Sequence, residues 1–162
     1  MTPSFKTGTH PGLLGEITAA HGRYYAAQWG FGGFFESKVA RECAAYLDRA
    51  TAPDLTLSIW DRDTFAGALI LDLHDPHAPG WAHLRWFIVP GTGRGLGRHM
   101  MAQAMRHLDQ SALPCFLTTF RGLEAARRLY DDFGFTLTAE AEGESWGTKV
   151  IEQRFERALF QA

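Results

Sequence analysis

The stretch from Trp81 to Leu108 constrains this chain more than any other. Trp81 to Val89 is dense in aromatic and branched residues, which predicts a strand. Gly91-Thr92-Gly93-Arg94-Gly95-Leu96-Gly97 follows at once. Leu96, Met100, Ala104 and Leu108 then recur at helical spacing and predict a helix running to about Gln110. Strand, glycine loop and helix in this order present unpaired backbone N–H groups and the positive end of a helix dipole, an arrangement that favours phosphate.

Three phosphate-binding patterns compete for the loop. GxGxxG fails, because counting from Gly91 its last position is Leu96 and counting from Gly93 it is Arg98. A P-loop fails because no Gly-Lys-Ser/Thr follows. What remains is an x-x-Gly-x-Gly turn able to seat a pyrophosphate, with a packing turn that binds nothing as the bland alternative.

Elsewhere the hydrophobic pattern is regular. Ser4 to Thr9 reads as a short edge strand, and Leu13, Leu14, Ile17, His21, Tyr24 and Tyr25 predict a helix from Pro11 to about Gln28. Trp29-Gly30-Phe31-Gly32-Gly33-Phe34 suits a sharp connection. A second helix then carries Phe35, Val39, Cys43, Tyr46 and Leu47 and ends near Arg49. Leu55 to Trp60 and Phe65 to Leu73 read as a hairpin around Asp61-Arg62-Asp63, and His74 to Gly80 as a loop. Pro114 to Thr119 is a strand, and Leu123, Ala126, Leu129 and Phe133 mark a helix stopped at Gly134. Phe135 to Ala141 and Thr148 to Leu159 are two closing strands around a Gly143–Gly147 turn.

A chain of 162 residues is expected to form one domain over 1–162, since domains cluster at roughly 100–150 residues. Sixteen basic against eighteen acidic residues give a net charge of −2, so no global positive field gathers nucleic acid or an anionic membrane. Any anion site has to be local. Cys43 and Cys115 lie far apart in apolar segments with no ligand-spaced partner, which predicts free buried thiols, no metal site and a cytoplasmic setting. The start lacks a signal-peptide layout, and no run reaches the roughly 20 apolar residues of a membrane span.

Two motifs in order carry a resemblance to the GNAT superfamily of acyl-CoA N-acyltransferases. His83-Leu84-Arg85-Trp86-Phe87-Ile88-Val89 is similar to the Glu-Leu-x-x-φ-x-Val strand before the family's loop. Ala126-Arg127-Arg128-Leu129-Tyr130-Asp131-Asp132-Phe133-Gly134-Phe135 is similar to its later Ala-x-x-Leu-Tyr-x-x-x-Gly-Phe stretch. More narrowly, His21-Gly22-Arg23-Tyr24-Tyr25, Trp29-Gly30-Phe31-Gly32 and Glu152-Gln153-Arg154-Phe155 look like the acyltransferase part of bacterial MarR-type regulator fusions, without the winged-helix region. The loop departs from the family in having Thr92 where Arg or Gln is usual and in being about two residues short.

The resemblance implies an α/β (α+β) fold: a mixed, mostly antiparallel sheet of six or seven strands, splayed at its centre and flanked by about four helices. It implies transfer of an acetyl group from acetyl-CoA to a primary amine, more readily on a small molecule than on a protein, by direct attack in a ternary complex. The CoA site would be formed by Phe87, Ile88, Val89, Thr92, Gly93, Arg94, Gly95, Leu96, Gly97, Arg98, Thr119 and Arg128. Tyr130 would protonate the leaving thiolate. His83 stands where relatives place a glutamate that accepts the amine proton; a histidine or a water is open there. The acceptor side would draw on Tyr24, Tyr25, Trp29, Phe34, Glu36 and Trp146, residues that are equally open to being core or a homodimer face. The rival function is a non-catalytic CoA-binding sensor or interaction module.

Overall fold

The computed structural model describes residues 2–91 and 93–159. Its elements are β1 (Ser4–Thr7), α1 (Leu13–Trp29), α2 (Gly33–Arg49), β2 (Leu55–Asp61), β3 (Thr64–Asp72), β4 (Ala82–Ile88), α3 (Leu96–Asp109), β5 (Cys115–Phe120), α4 (Glu124–Asp132), β6 (Thr136–Gly143) and β7 (Val150–Arg157). The strands form one sheet in the order β1-β2-β3-β4-β5-β7-β6. Every neighbouring pair is antiparallel except β4 and β5. The expected mixed, mostly antiparallel sheet with four helices is therefore the fold.

Each helix forms where its apolar positions fall on one face. In α1 the buried residues are Leu13, Ile17 and His21, one every four positions. The helix starts at Leu13 rather than Pro11 because Gly12 takes a left-handed conformation (φ 90°) as its N-cap. Phe35, Val39, Cys43 and Tyr46 repeat the pattern in α2. These two helices share a core with Ala68, Ile70 and Phe120 on one sheet face. On the other face Met100, Met101, Ala104, Met105 and Leu108 of α3 and Tyr130 of α4 close over Leu55, Leu57, Ile59, Leu69, Leu71, Leu84, Cys115, Leu117 and Phe155. Strand alternation divides the sheet between these cores.

Two features set the geometry at the centre. Between Ala68↔Ile88 and Ile70↔Arg85, β4 advances three residues against two on β3, a β-bulge. Trp86 within it has φ 45°, and a non-glycine residue holds such a conformation only under tertiary constraint. Opposite the bulge, Gly67 lets the two main chains close up: a Cβ there would lie 2.8 Å from the Ile88 carbonyl oxygen. The other feature is an ion pair between a half-buried arginine and a fully buried aspartate. Arg49 of α2 donates to both carboxylate oxygens of Asp72, at 3.0 and 2.5 Å, tying helix to sheet.

Gly67→Ala is expected to lower unfolding stability by about 1–3 kcal/mol, the range for a forced methyl in a packed interior, as read by chemical denaturation. A second expectation concerns His21. Its Nδ1 lies 2.8 Å from the Ile17 carbonyl oxygen, and burial lowers its pKa to about 4. Between about 4 and the unfolded value of 6.5 the unfolded chain binds more protons, so stability falls as pH drops through that window. Thermal denaturation should show a midpoint that falls from pH 7 to pH 5, with a shallower slope in His21→Leu.

Candidate active site

The site begins where β4 and β5 part. Their parallel ladder consists of Ala82↔Cys115 and His83↔Phe116, after which β4 continues to Ile88 and β5 to Phe120 without pairing to each other. On its far side β5 stays paired with β7 over its whole length, so the sheet opens between β4 and β5 alone. A cleft of about 970 Å³ fills the opening and runs from the glycine loop to the α1–α2 face. Phe87, Ile88 and Val89 form one wall, with Leu117, Thr119 and Phe120 opposite.

At one end lie Gly93, Arg94, Gly95, Leu96 and Gly97. Gly93 and Gly95 have φ of 80° and 68°, and Gly95 is the N-cap of α3. The helix opens with no side-chain cap and no acidic residue in its first turn, which leaves its N-terminal N–H groups available to an anion. A Cβ placed on Gly91, Gly93 or Gly95 would meet nothing within 4 Å, so this side of the loop is open. The cations are arranged unequally. Arg94 lines the cleft and approaches Asp61 at 3.3 Å. Arg98 turns instead to Asp132 and the Phe133 ring, and neither it nor the exposed Arg128 is part of the cleft lining. Thr92, assigned to this loop from sequence, lies outside the described residues.

Tyr130 reaches the middle of the cleft from α4. It is 7% exposed, and its ring packs on Phe135 and Phe155. Burial pushes its phenol pKa well above 10, so the hydroxyl stays protonated. Cys43 and Cys115 are both buried and free, and desolvation pushes each thiol up to about 12.

The opposite end is aromatic and charged. Tyr24, Tyr25, Trp29 and Trp146 line it. Tyr25, Trp29 and Trp146 also pack against Phe120, so the same rings serve core and cleft together. Phe34 and Glu36, expected beside them, are exposed and outside the lining. The α2 residues that do face the cleft are Phe35, Lys38, Val39 and Glu42, spaced by three and four as one helix face requires. That spacing from Phe35 was the signal for Lys38 and Glu42.

His83 lines the cleft and its ring lies against Phe116, with centroids 4.1 Å apart and planes at 22°. Two residues on, and so on the same strand face, is Arg85. Its guanidinium sits 4.1 Å over the Trp86 ring, 3.4 Å from Glu42 and 3.5 Å from Asp72. Period-two alternation from His83 was the available signal for Arg85. Arg154, on β7, covers the Phe116 ring at 3.9 Å; nothing in the local sequence marks it as a cleft residue. Burial, followed by the Arg85 charge, brings the His83 pKa down to about 4, so the ring is neutral at pH 7.

Among solved structures, an acetyltransferase assignment from Salmonella typhimurium, determined with its cofactor acetyl-CoA, superposes with TM-score 0.76 at 14% identity, over 100% of this chain and 96% of that one. The ribosomal-protein-alanine N-acetyltransferase of Brucella melitensis gives 0.75 at 13%, over 96% and 99%. The NatC complex bound to Gag peptide and CoA gives 0.71 at 14%, over 99% and 100%. At these identities the likeness is one of fold. No curated protein matches the sequence. The profile of the Acetyltransferase (GNAT) family matches residues 17–135. With nearly three-quarters of its length matched, and with the splayed sheet and glycine loop in place, the chain belongs to the GNAT acetyltransferase family and is an acyltransferase.

Proposed function

We propose that this protein moves an acetyl group from acetyl-CoA to the primary amine of a small molecule, by direct attack in a ternary complex. The observation that carries this reading is the continuity of one cleft from an uncapped, glycine-bounded helix start, past a buried tyrosine, to an aromatic and charged end. Acetyl-CoA brings the thioester carbonyl; the chain supplies the surroundings.

The N–H groups of Gly93 to Gly97 would hold the pyrophosphate, with Arg94 alongside. Past His83 the edge of β4 is released from β5, so a main-chain N–H of Ile88 or Val89 would polarise the thioester carbonyl. Tyr130, kept protonated by burial, would hand its proton to the departing thiolate. His83, neutral at pH 7, would take the proton from the amine. An acyl-cysteine relay finds no support, since neither buried thiol reaches a thiolate near neutral pH. Tyr24, Trp29 and Trp146 would receive apolar bulk on the amine, and Glu42 takes over from Glu36 as the acidic residue that α2 brings to the cleft wall.

The test is calorimetric titration with acetyl-CoA followed by turnover on a panel of phenethylamine, spermidine, free amino acids and a short peptide. Saturable binding is expected, with the highest turnover on phenethylamine. Gly95→Asp should abolish binding: its Cβ position is open, Asp tolerates left-handed backbone, and the carboxylate opposes the anion. Binding with no turnover on any amine would assign a CoA-binding module instead. Tyr130→Phe should lower kcat by about 100-fold in a steady-state assay and leave acetyl-CoA affinity unchanged.

A further inference from the structure

Asp75 belongs to the loop between β3 and β4, a stretch that the sequence pattern marks only as a connection. Its side chain is nevertheless buried, at 6% exposure. Oδ1 accepts the His77 backbone N–H at 2.9 Å, and Oδ2 lies 2.7 Å from His83 Nδ1 and 3.9 Å from Arg85 Nη1. Burial raises the carboxyl pKa, but the hydrogen bonds from His83 and the His77 main chain, with the nearby charges, lower it overall. An ionised carboxylate has no proton to donate, so the hydrogen in the 2.7 Å contact belongs to His83 Nδ1. A neutral imidazole carries one N–H, and Nε2 is therefore the nitrogen with the lone pair.

The ring has little freedom to turn. Phe116 covers one side at 4.1 Å, the His83 side chain is 14% exposed, and among the described residues Nε2 has no hydrogen-bond partner within the protein. The charged groups around the ring are Asp75 and Asp72 from β3 and the following loop, Arg85 on its own strand, Glu42 and Lys38 of α2 beyond Arg85, and Arg154 across Phe116. Burial and Arg85 disfavour a charged imidazole more than Asp75 and Asp72 favour one, so the ring rests neutral.

We propose that Asp75 is a positioning residue that locks His83 as the Nδ1–H tautomer and so reserves its Nε2 lone pair for the acceptor amine. This rests on the acetyl-transfer reading above. The acceptor amine arrives neutral, and its nitrogen pair forms the bond to the acyl carbon while the carbonyl π pair moves onto oxygen. An N–H bond of the nitrogen, now positively charged, breaks and its proton passes to Nε2; the carbonyl reforms as the C–S pair leaves on sulfur, and the thiolate takes the Tyr130 proton. The Asp75 carboxylate stabilises the imidazolium until its proton, carried by water, restores the Tyr130 hydroxyl.

Long-range ¹H–¹⁵N spectra of the full-length protein read the tautomer with no acceptor present. The expected parent spectrum has a pyrrole-type Nδ1 and a pyridine-type Nε2 at His83. In Asp75→Asn the amide can donate to Nδ1, so the ring should shift toward the Nε2–H form. With phenethylamine as acceptor, kcat should fall about 100-fold, the scale for loss of a partner that orients a histidine, while KM for acetyl-CoA holds. A parent spectrum with Nε2–H overturns the inference even where the variant fails to fold, as does a variant with parental tautomer and parental kcat. A shifted tautomer with unchanged kcat overturns the catalytic role. Full activity in His83→Ala, beside a locked parental tautomer, sinks the base assignment while leaving acyl transfer intact.

Discussion

The parting of β4 from β5 is the constraint on which the rest depends. The pair β4–β5 is parallel inside an otherwise antiparallel sheet, so its strands are joined through a crossover that contains α3, since parallel neighbours cannot be linked by a hairpin. After two register pairs the ladder stops, and both strands keep their other partners, β3 and β7. The sheet therefore holds together around a gap. Main-chain groups on the released edge of β4 are left to a ligand, and helix α3 starts at the mouth of that same gap. Glycine loop and open strand edge become one site because the crossover begins at the far end of the stretch of β4 that β5 has released.

The bulge at Trp86 serves the same geometry from the other side. An extra residue in β4 swings its last residues relative to β3, and the bare face of Gly67 allows the main chains to remain in contact while it does so. Trp86 is held in a left-handed conformation by packing on Tyr46 and by the Arg85 guanidinium over its ring. That strain lies directly between His83 and Ile88, the two positions that the proposed chemistry requires on one strand.

Charge is concentrated where the opening starts. Asp72 stands between Arg49 and Arg85, Arg85 also meets Glu42, and Asp75 holds His83. Removing water from so many ionised groups is costly unless each is paired, and here each has an opposite charge or an N–H in reach. The network fixes the ends of α2, β3 and β4 against one another, and burial leaves a neutral imidazole beside it. A chain with net charge −2 thus carries separate local environments at the two ends of one cleft.

The sequence by itself determined the elements and the glycine loop, because both rest on short-range physics: helical and alternating periodicity, and backbone freedom at Gly93 and Gly95. His83, Tyr130, Tyr24 and Trp146, named through the resemblance to the GNAT motifs, all line the cleft. Arg98 and Arg128 were misplaced from the cleft because a helix face turns by about 100° per residue, and an acidic neighbour such as Asp132 captures a cation that spacing alone leaves open. Phe34 and Glu36 missed the lining by that same rotation, while Lys38 and Glu42 occupied it. Asp75, Arg154 and the bulge left no local signal. Asp75 meets His83 across a loop, Arg154 reaches Phe116 from a strand nearly forty positions away in the chain, and the bulge exists only as a mismatch between two strands. Such features are decided by tertiary structure, since each is a relation between residues that sequence order keeps apart.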